Sequence, residues 1–138
     1  MSESPQIKKG KTKIGETTFI WGARTYIMGV VNVTPDSFSG DGLNTDINAI
    51  RKQAQDFQEF GADIIDIGGE STRPPHLYED SKPVSLQEEL SRVIPVVQVL
   101  SQELRTPISV DTYKSEVAEA AIKAGASMIN DVWGLQKD

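Results

Sequence analysis

Apolar residues along this chain gather in short runs, and four of those runs break into polar residues at their carboxyl ends. They read Gly29-Val30-Val31-Asn32-Val33-Thr34-Pro35-Asp36, Ile64-Ile65-Asp66-Ile67-Gly68-Gly69-Glu70-Ser71, Ile108-Ser109-Val110-Asp111-Thr112 and Met128-Ile129-Asn130-Asp131-Val132. Between them the period lengthens. Ile47, Ile50, Ala54, Phe57 and Phe60 recur at helical spacing after Asp46, with Gly61 as a stop. Leu86, Leu90, Val93, Ile94, Val97 and Leu100 do the same behind a capping box of Ser85 and Glu88. Pro95 lies inside that pattern and predicts a kink or a division of the helix. The alanine-rich stretch 115–124, closed by Gly125, predicts a third helix.

Strands that alternate with helices predict an α/β fold of parallel strands joined by right-handed crossovers. Upstream, 14–20 and 24–33 are β-rich and are separated by Trp21-Gly22-Ala23, which predicts a hairpin leading into the first main strand. Residues 1–13 are polar and lysine-bearing and read as a flexible tail, leaving 14–138 as the folded unit. Gly-Ala-Asp at 61–63 and Gly-Ala-Ser at 125–127 occupy matching helix-to-strand turns, as repeated units of one barrel would. A whole (β/α)8 barrel takes about 250 residues. The 138 residues here supply four strands, the first half of such a barrel.

Charge and composition narrow the partners. Fourteen basic against twenty acidic residues give a net charge of -6, which argues against a nucleic-acid partner. Cysteine is absent, so disulfides, thiolate metal sites and a cysteine nucleophile are excluded for these residues. Neither a signal-peptide core nor a run long enough to cross a bilayer appears, and the expectation is a cytoplasmic protein with no membrane partner. His76 is the single histidine and reads as an exposed loop residue, so neither a Ser-His-Asp triad nor a His-rich metal site can be built on it. Trp21 and Trp133 read as packing residues.

Polar bursts at the carboxyl ends of parallel strands are where this architecture assembles active sites. The same residue types also build turns, so the strings decide more than the composition. Asn32-Val33-Thr34-Pro35-Asp36-Ser37-Phe38-Ser39 resembles the first-loop signature of dihydropteroate synthase, a pterin-binding TIM-barrel family. Asp66-Ile67-Gly68-Gly69-Glu70-Ser71-Thr72-Arg73-Pro74 resembles its second loop. Ser109-Val110-Asp111-Thr112-Tyr113-Lys114 and Ile129-Asn130-Asp131-Val132 continue the match in order and spacing, so that it extends over residues 21–133. Phe38-Ser39-Gly40-Asp41-Gly42 departs from the family's Ser-Asp-Gly-Gly order, and 75–83 is somewhat enlarged.

The resemblance implies a transferase of folate biosynthesis that joins a pterin methyl diphosphate to p-aminobenzoate. It implies catalytic roles for Asn32, Asp36, Thr72 and Arg73. It implies substrate binding by Phe38, Ser71, Thr72, Arg73, Pro74, Asp111, Asn130 and Val132. Asn32 would bind the Mg2+ carried by the diphosphate, a hard cation that takes oxygen ligands. Arg73 has the forked donors that suit diphosphate oxygens, the alternative for its loop being a glycine turn followed by a helix cap on Ser71 or Thr72. Asp111 could accept from the amino-pyrimidine edge of a pterin or simply cap the following helix. Asn130 could serve that heterocycle as donor and acceptor or close an Asx turn. Asp36, Phe38 and Pro74 fall where the family surrounds p-aminobenzoate.

Family members complete the pocket with an aspartate on a fifth strand, a lysine on the seventh, and an arginine and histidine after the eighth. The half barrel alone is therefore expected to be inactive or weakly active, and the complete protein a homodimer that sulfonamides inhibit. Two rival readings remain. One is a pterin-binding methyltransferase domain, which would have no use for diphosphate and arylamine loops. The other is a non-catalytic half-barrel fragment.

Overall fold

A computed structural model of the chain describes residues 10–33, 46–70 and 83–138. Two strands, β1 (Lys11–Ile14) and β2 (Thr17–Ile20), form an antiparallel hairpin in which Ile14 faces Thr17. Its turn is therefore Gly15-Glu16 and not the expected Trp21-Gly22-Ala23, and 24–33 is not one of its arms, since β3 (Met28–Asn32) joins a separate sheet. Gly15 takes φ +58, the left-handed backbone that a two-residue hairpin loop needs and a glycine supplies without steric cost. Strand pairing starts at Lys11, inside the expected tail. Neither boundary shows in hydrophobicity, because one glycine inside a β-rich run decides the first and backbone pairing of polar lysines the second.

The main sheet contains β3 (Met28–Asn32), β4 (Ile64–Gly68), β5 (Ile108–Asp111) and β6 (Met128–Asn130), all parallel and in that order. Helices α1 (Ile47–Glu59), α2 (Leu86–Glu103) and α3 (Ser115–Ala124) connect them. The local signals act as chemistry requires. Asp46 caps α1 by accepting from the amides of Asn48 and Ala49, and Ser85 and Glu88 close a reciprocal capping box on α2. Gly125 ends α3 in the left-handed conformation at φ 118. Pro95 does not divide α2, which runs as one helix from Leu86 to Glu103. Pro95 and Ser91 are both exposed, so the carbonyl that loses its intrahelical donor lies on the solvent side, where water can replace the bond.

Side chains alternate across the sheet. One face carries Val31, Ile65, Ile67, Ile108 and Val110, which pack on Ile50 and Ala54 of α1 and on Val93, Val96, Val97 and Leu100 of α2. That apolar layer is the main core. In-register pairing puts Met28, Val30 and Asn32 with Ile64, Asp66 and Gly68, and then with Ser109, Asp111, Met128 and Asn130, on the other face. At the amino ends of the strands the hairpin covers this second face, where Phe19 is buried with Ile14 and Ile64 beside Tyr26 and Met128. The carboxyl ends keep the polar residues.

Candidate functional site

Asn32 ends β3, Gly68 ends β4, Asp111 ends β5 and Asn130 ends β6. The register pairs Asn32 with Gly68, Gly68 with Asp111 and Asp111 with Asn130, so the four form one row on one face. Adjacent strands are about 4.8 Å apart, and the row is short enough for one ligand to meet all of it. Backbone ladders continue past it, with Val33 N donating to Gly68 O at 2.7 Å and Thr112 N donating to Asn130 O at 3.1 Å. The rim is thus held by the same pairing that makes the sheet.

Gly68 is the floor. A Cβ there would stand 3.7 Å from Asp111 Cβ and 3.9 Å from both Asn32 Oδ1 and Asp111 Oδ2. Hydrogen in its place leaves a flat gap between an amide oxygen and a carboxylate. Asp111 does not cap α3, whose N-cap is Lys114 with no side-chain cap bond. Desolvation by burial pushes the Asp111 carboxyl up to about 6, and the negative charges of Asp66, Glu89, Asp131 and Glu70 push the same way. A carboxylate so placed gains more than an exposed one from N–H donors that a ligand brings.

Asn130 closes no Asx turn. Its Nδ2 donates to Asp66 Oδ2 at 3.2 Å, across the sheet and one layer deeper. The turn after β6 is built instead by Asp131, whose carboxylate accepts from Trp133 N at 2.9 Å and Leu135 N at 2.7 Å. Val132 and Trp133 lie on that turn and are largely exposed, so Trp133 is not a core residue. Trp21 is also part-exposed, but it stacks on Phe19 with ring centroids 5.6 Å apart. Asp36, Phe38, Ser71, Thr72, Arg73, Pro74 and His76 lie outside the described residues.

Three charged residues escaped the sequence reading. Asp66 is 3 % exposed on the same face as Asp111, and its signal was a charge embedded in an otherwise apolar strand. Glu89 is 1 % exposed on α2, and its signal was an acid at helical spacing from Leu86 and Val93. Lys114 pairs with Glu89 and with Glu70, the latter at 2.7 Å. Desolvation lowers the affinity of Lys114 for its proton, yet the hydrogen bonds and charges of Glu70 and Glu89 together raise it above the ordinary lysine value. Glu70 Oε1 also accepts from Val84 N at 3.4 Å, and Arg92 donates to Gly69 O at 3.1 Å. Gly69 and Glu70 are in this way tied to α2, to Val84 and to Lys114.

Among the described residues no group of three histidines, cysteines or carboxylates is placed to hold a metal ion, and no helix is long and apolar enough to cross a membrane. Asn32 offers one neutral oxygen at the rim. That donor suits a hard divalent cation arriving with other oxygen ligands of its own, such as phosphate oxygens and water.

The same arrangement of strands and helices occurs in proteins already known. Dihydropteroate synthase of Clostridium beijerinckii is 51% identical over 126 residues, covering 91% of this chain and 45% of that protein. A Xanthomonas albilineans dihydropteroate synthase solved with 4-aminobenzoic acid superposes with a TM-score of 0.79 at 45% identity, over 92% of this chain and 45% of that one. A Clostridium difficile dihydropteroate synthase solved in the presence of pteroic acid gives a TM-score of 0.78 at 55% identity, over 87% and 44% respectively. The chain spans a little under half the length of these relatives, and its sheet corresponds to the first half of their TIM barrels. The family model described as pterin binding enzyme matches residues 28–138, from the first strand of the parallel sheet through every rim residue described above. This chain belongs to the pterin-binding enzyme family.

Proposed function

We propose that the chain is the amino-terminal half of a dihydropteroate synthase, and that the complete barrel condenses 7,8-dihydropterin-6-ylmethyl diphosphate with p-aminobenzoate. The row of Asn32, Gly68, Asp111 and Asn130 carries this reading, because it offers an acceptor carboxylate and a donor-acceptor amide side by side over a flat floor. An amino-pyrimidine edge has the matching donors and acceptor. The relatives solved with 4-aminobenzoic acid and pteroic acid support the same substrates.

In the reaction the methylene C–O bond breaks, and its electron pair leaves on the diphosphate. The arylamine nitrogen forms the new C–N bond and releases a proton to solvent. Free p-aminobenzoate is already a nucleophile, so the protein's work is to hold the pterin, balance the leaving charge and align the amine. Asp111 and Asn130 hold the heterocycle. Thr72 and Arg73 receive the diphosphate, Asn32 completes the leaving-group side, Asp36, Phe38 and Pro74 border p-aminobenzoate, and Ser71 and Val132 border the substrates. Asn32 Oδ1 would hold Mg2+, which when bound neutralises part of the diphosphate charge. The complete protein is proposed as a cytoplasmic homodimer and a sulfonamide target.

The test is a condensation assay on the complete protein with both substrates and Mg2+. Dihydropteroate and diphosphate should appear in equal amounts, and Arg73→Gln should reduce the rate by more than about tenfold. Folded protein that binds pterin yet yields no dihydropteroate would overturn the proposal. Methyl transfer in its place would establish the methyltransferase reading.

A further inference from the structure

Asp66 has no place in the chemistry above, yet it is almost fully buried beneath the rim. Its Oδ2 accepts from Asn130 Nδ2 at 3.2 Å, while its Oδ1 finds no partner among the described residues. Its register neighbour Ser109 is fully buried, and Ser109 Oγ is likewise unpartnered. A buried carboxylate is costly unless it secures something. An ionised carboxylate can only accept, so the amide of Asn130 must turn its nitrogen toward Asp66. Its carbonyl oxygen and its second N–H are then the groups left for a ligand.

We infer that Asp66 is a positioning residue which fixes the amide of Asn130 in one orientation, so that the site reads a heterocycle edge with one acceptor and one donor in fixed order. Without Asp66 the amide could rotate by half a turn and present the two groups reversed, at little energetic difference. Specificity for one heterocycle edge over its mirror arrangement would then be lost. The inference rests on the proposed pterin site, and it concerns a residue that touches no substrate.

The experiment is a mutant cycle in the complete barrel, with 6-hydroxymethylpterin as the titrated probe and p-aminobenzoate KM measured alongside. Thermal melts of each variant establish that it is folded. Asn130→Ala should weaken the pterin by about tenfold, as loss of a pair of buried hydrogen bonds does. Asp66→Leu should weaken it by a similar factor, and Asp66→Leu with Asn130→Ala should be no weaker than Asn130→Ala alone. Asp66→Asn keeps an acceptor for Asn130 and can turn its own amide toward Ser109 Oγ, so it should stay within about threefold of the parent. The KM for p-aminobenzoate should be unchanged throughout. Losses that multiply in the double variant would overturn the inference. So would a tenfold loss in folded Asp66→Asn, which would put the effect in the charge and not in the hydrogen bond. Failure of the unmodified barrel to bind the probe would sink the pterin site itself, and the inference with it.

Discussion

Gly68 and Gly69 are consecutive, yet they face opposite sides of the sheet and do opposite work. A Cβ at Gly69 would come within 2.7 Å of Val93 Cγ2 and 3.3 Å of Glu89 Cγ, so this glycine lets α2 approach the strand. At Gly68 the nearest atom would be 3.7 Å away, so that glycine keeps a gap open over the rim. The same contrast runs through the whole sheet. The helix-covered face is a closed apolar layer of Val31, Ile65, Ile67 and Val110, all fully buried, while the other face holds Asn32, Asp66, Ser109, Asp111 and Asn130. Stability is concentrated on one side and recognition on the other, one residue apart along each strand.

Substitutions on the two faces should therefore separate stability from binding. The largest effect is expected from Ile67→Ala, which empties a fully buried site on the helix side and should cost about 4 kcal/mol in urea unfolding. Glu89→Ala comes next. It leaves Lys114 under-compensated in a buried setting, and the urea midpoint should fall by the equivalent of about 3 kcal/mol. Gly69→Ala forces its methyl into Val93 and should cost about 2 kcal/mol.

On the open face the sign reverses. The folded state holds the Asp111 proton up to about 6 from an ordinary 3.8, so ionising Asp111 weakens the fold. That penalty is fully present above pH 6 and gone below about pH 4. Asp111→Asn should therefore raise stability by about 1–2 kcal/mol at pH 7, the gain fading to nothing by pH 4, while pterin binding by the complete barrel is lost. Urea titrations at the two pH values check the first half, and calorimetry with the pterin the second. The smallest stability effect is expected for Gly68→Ala, within about 0.5 kcal/mol. Its methyl would nevertheless occupy the floor between Asn32 and Asp111, and a pterin should bind measurably more weakly. Equal stability losses for Gly68→Ala and Gly69→Ala would break the division between the faces.

Much of the frame is written locally. Asp46, the Ser85–Glu88 box and Gly125 act within a turn of their helices, so their roles follow from order along the chain. A hairpin ahead of the parallel sheet was legible, but its arms and its turn were not. Gly15 sits in a β-rich run, and only pairing of Lys11 with Ile20 shows that the chain reverses there. Pro95 illustrates the converse, since whether it breaks α2 depends on which side of the helix meets solvent. Asn32, Asp111 and Asn130 were named from their strings, whereas Asp66, Glu89 and Lys114 stayed hidden because their partners are 64, 25 and 44 residues distant.

The order of strands and helices, the caps that bound them and the polar residues at the strand ends were determined by the sequence alone, because periodicity and capping act over a few neighbouring residues. The register between strands was decided only in the tertiary structure. A shift of one residue would have turned Asp66, Asp111 and Asn130 into the apolar layer. Packing of that layer against α1 and α2 forbids the shift, and burial of the hydrophobic face is what gathers the polar one.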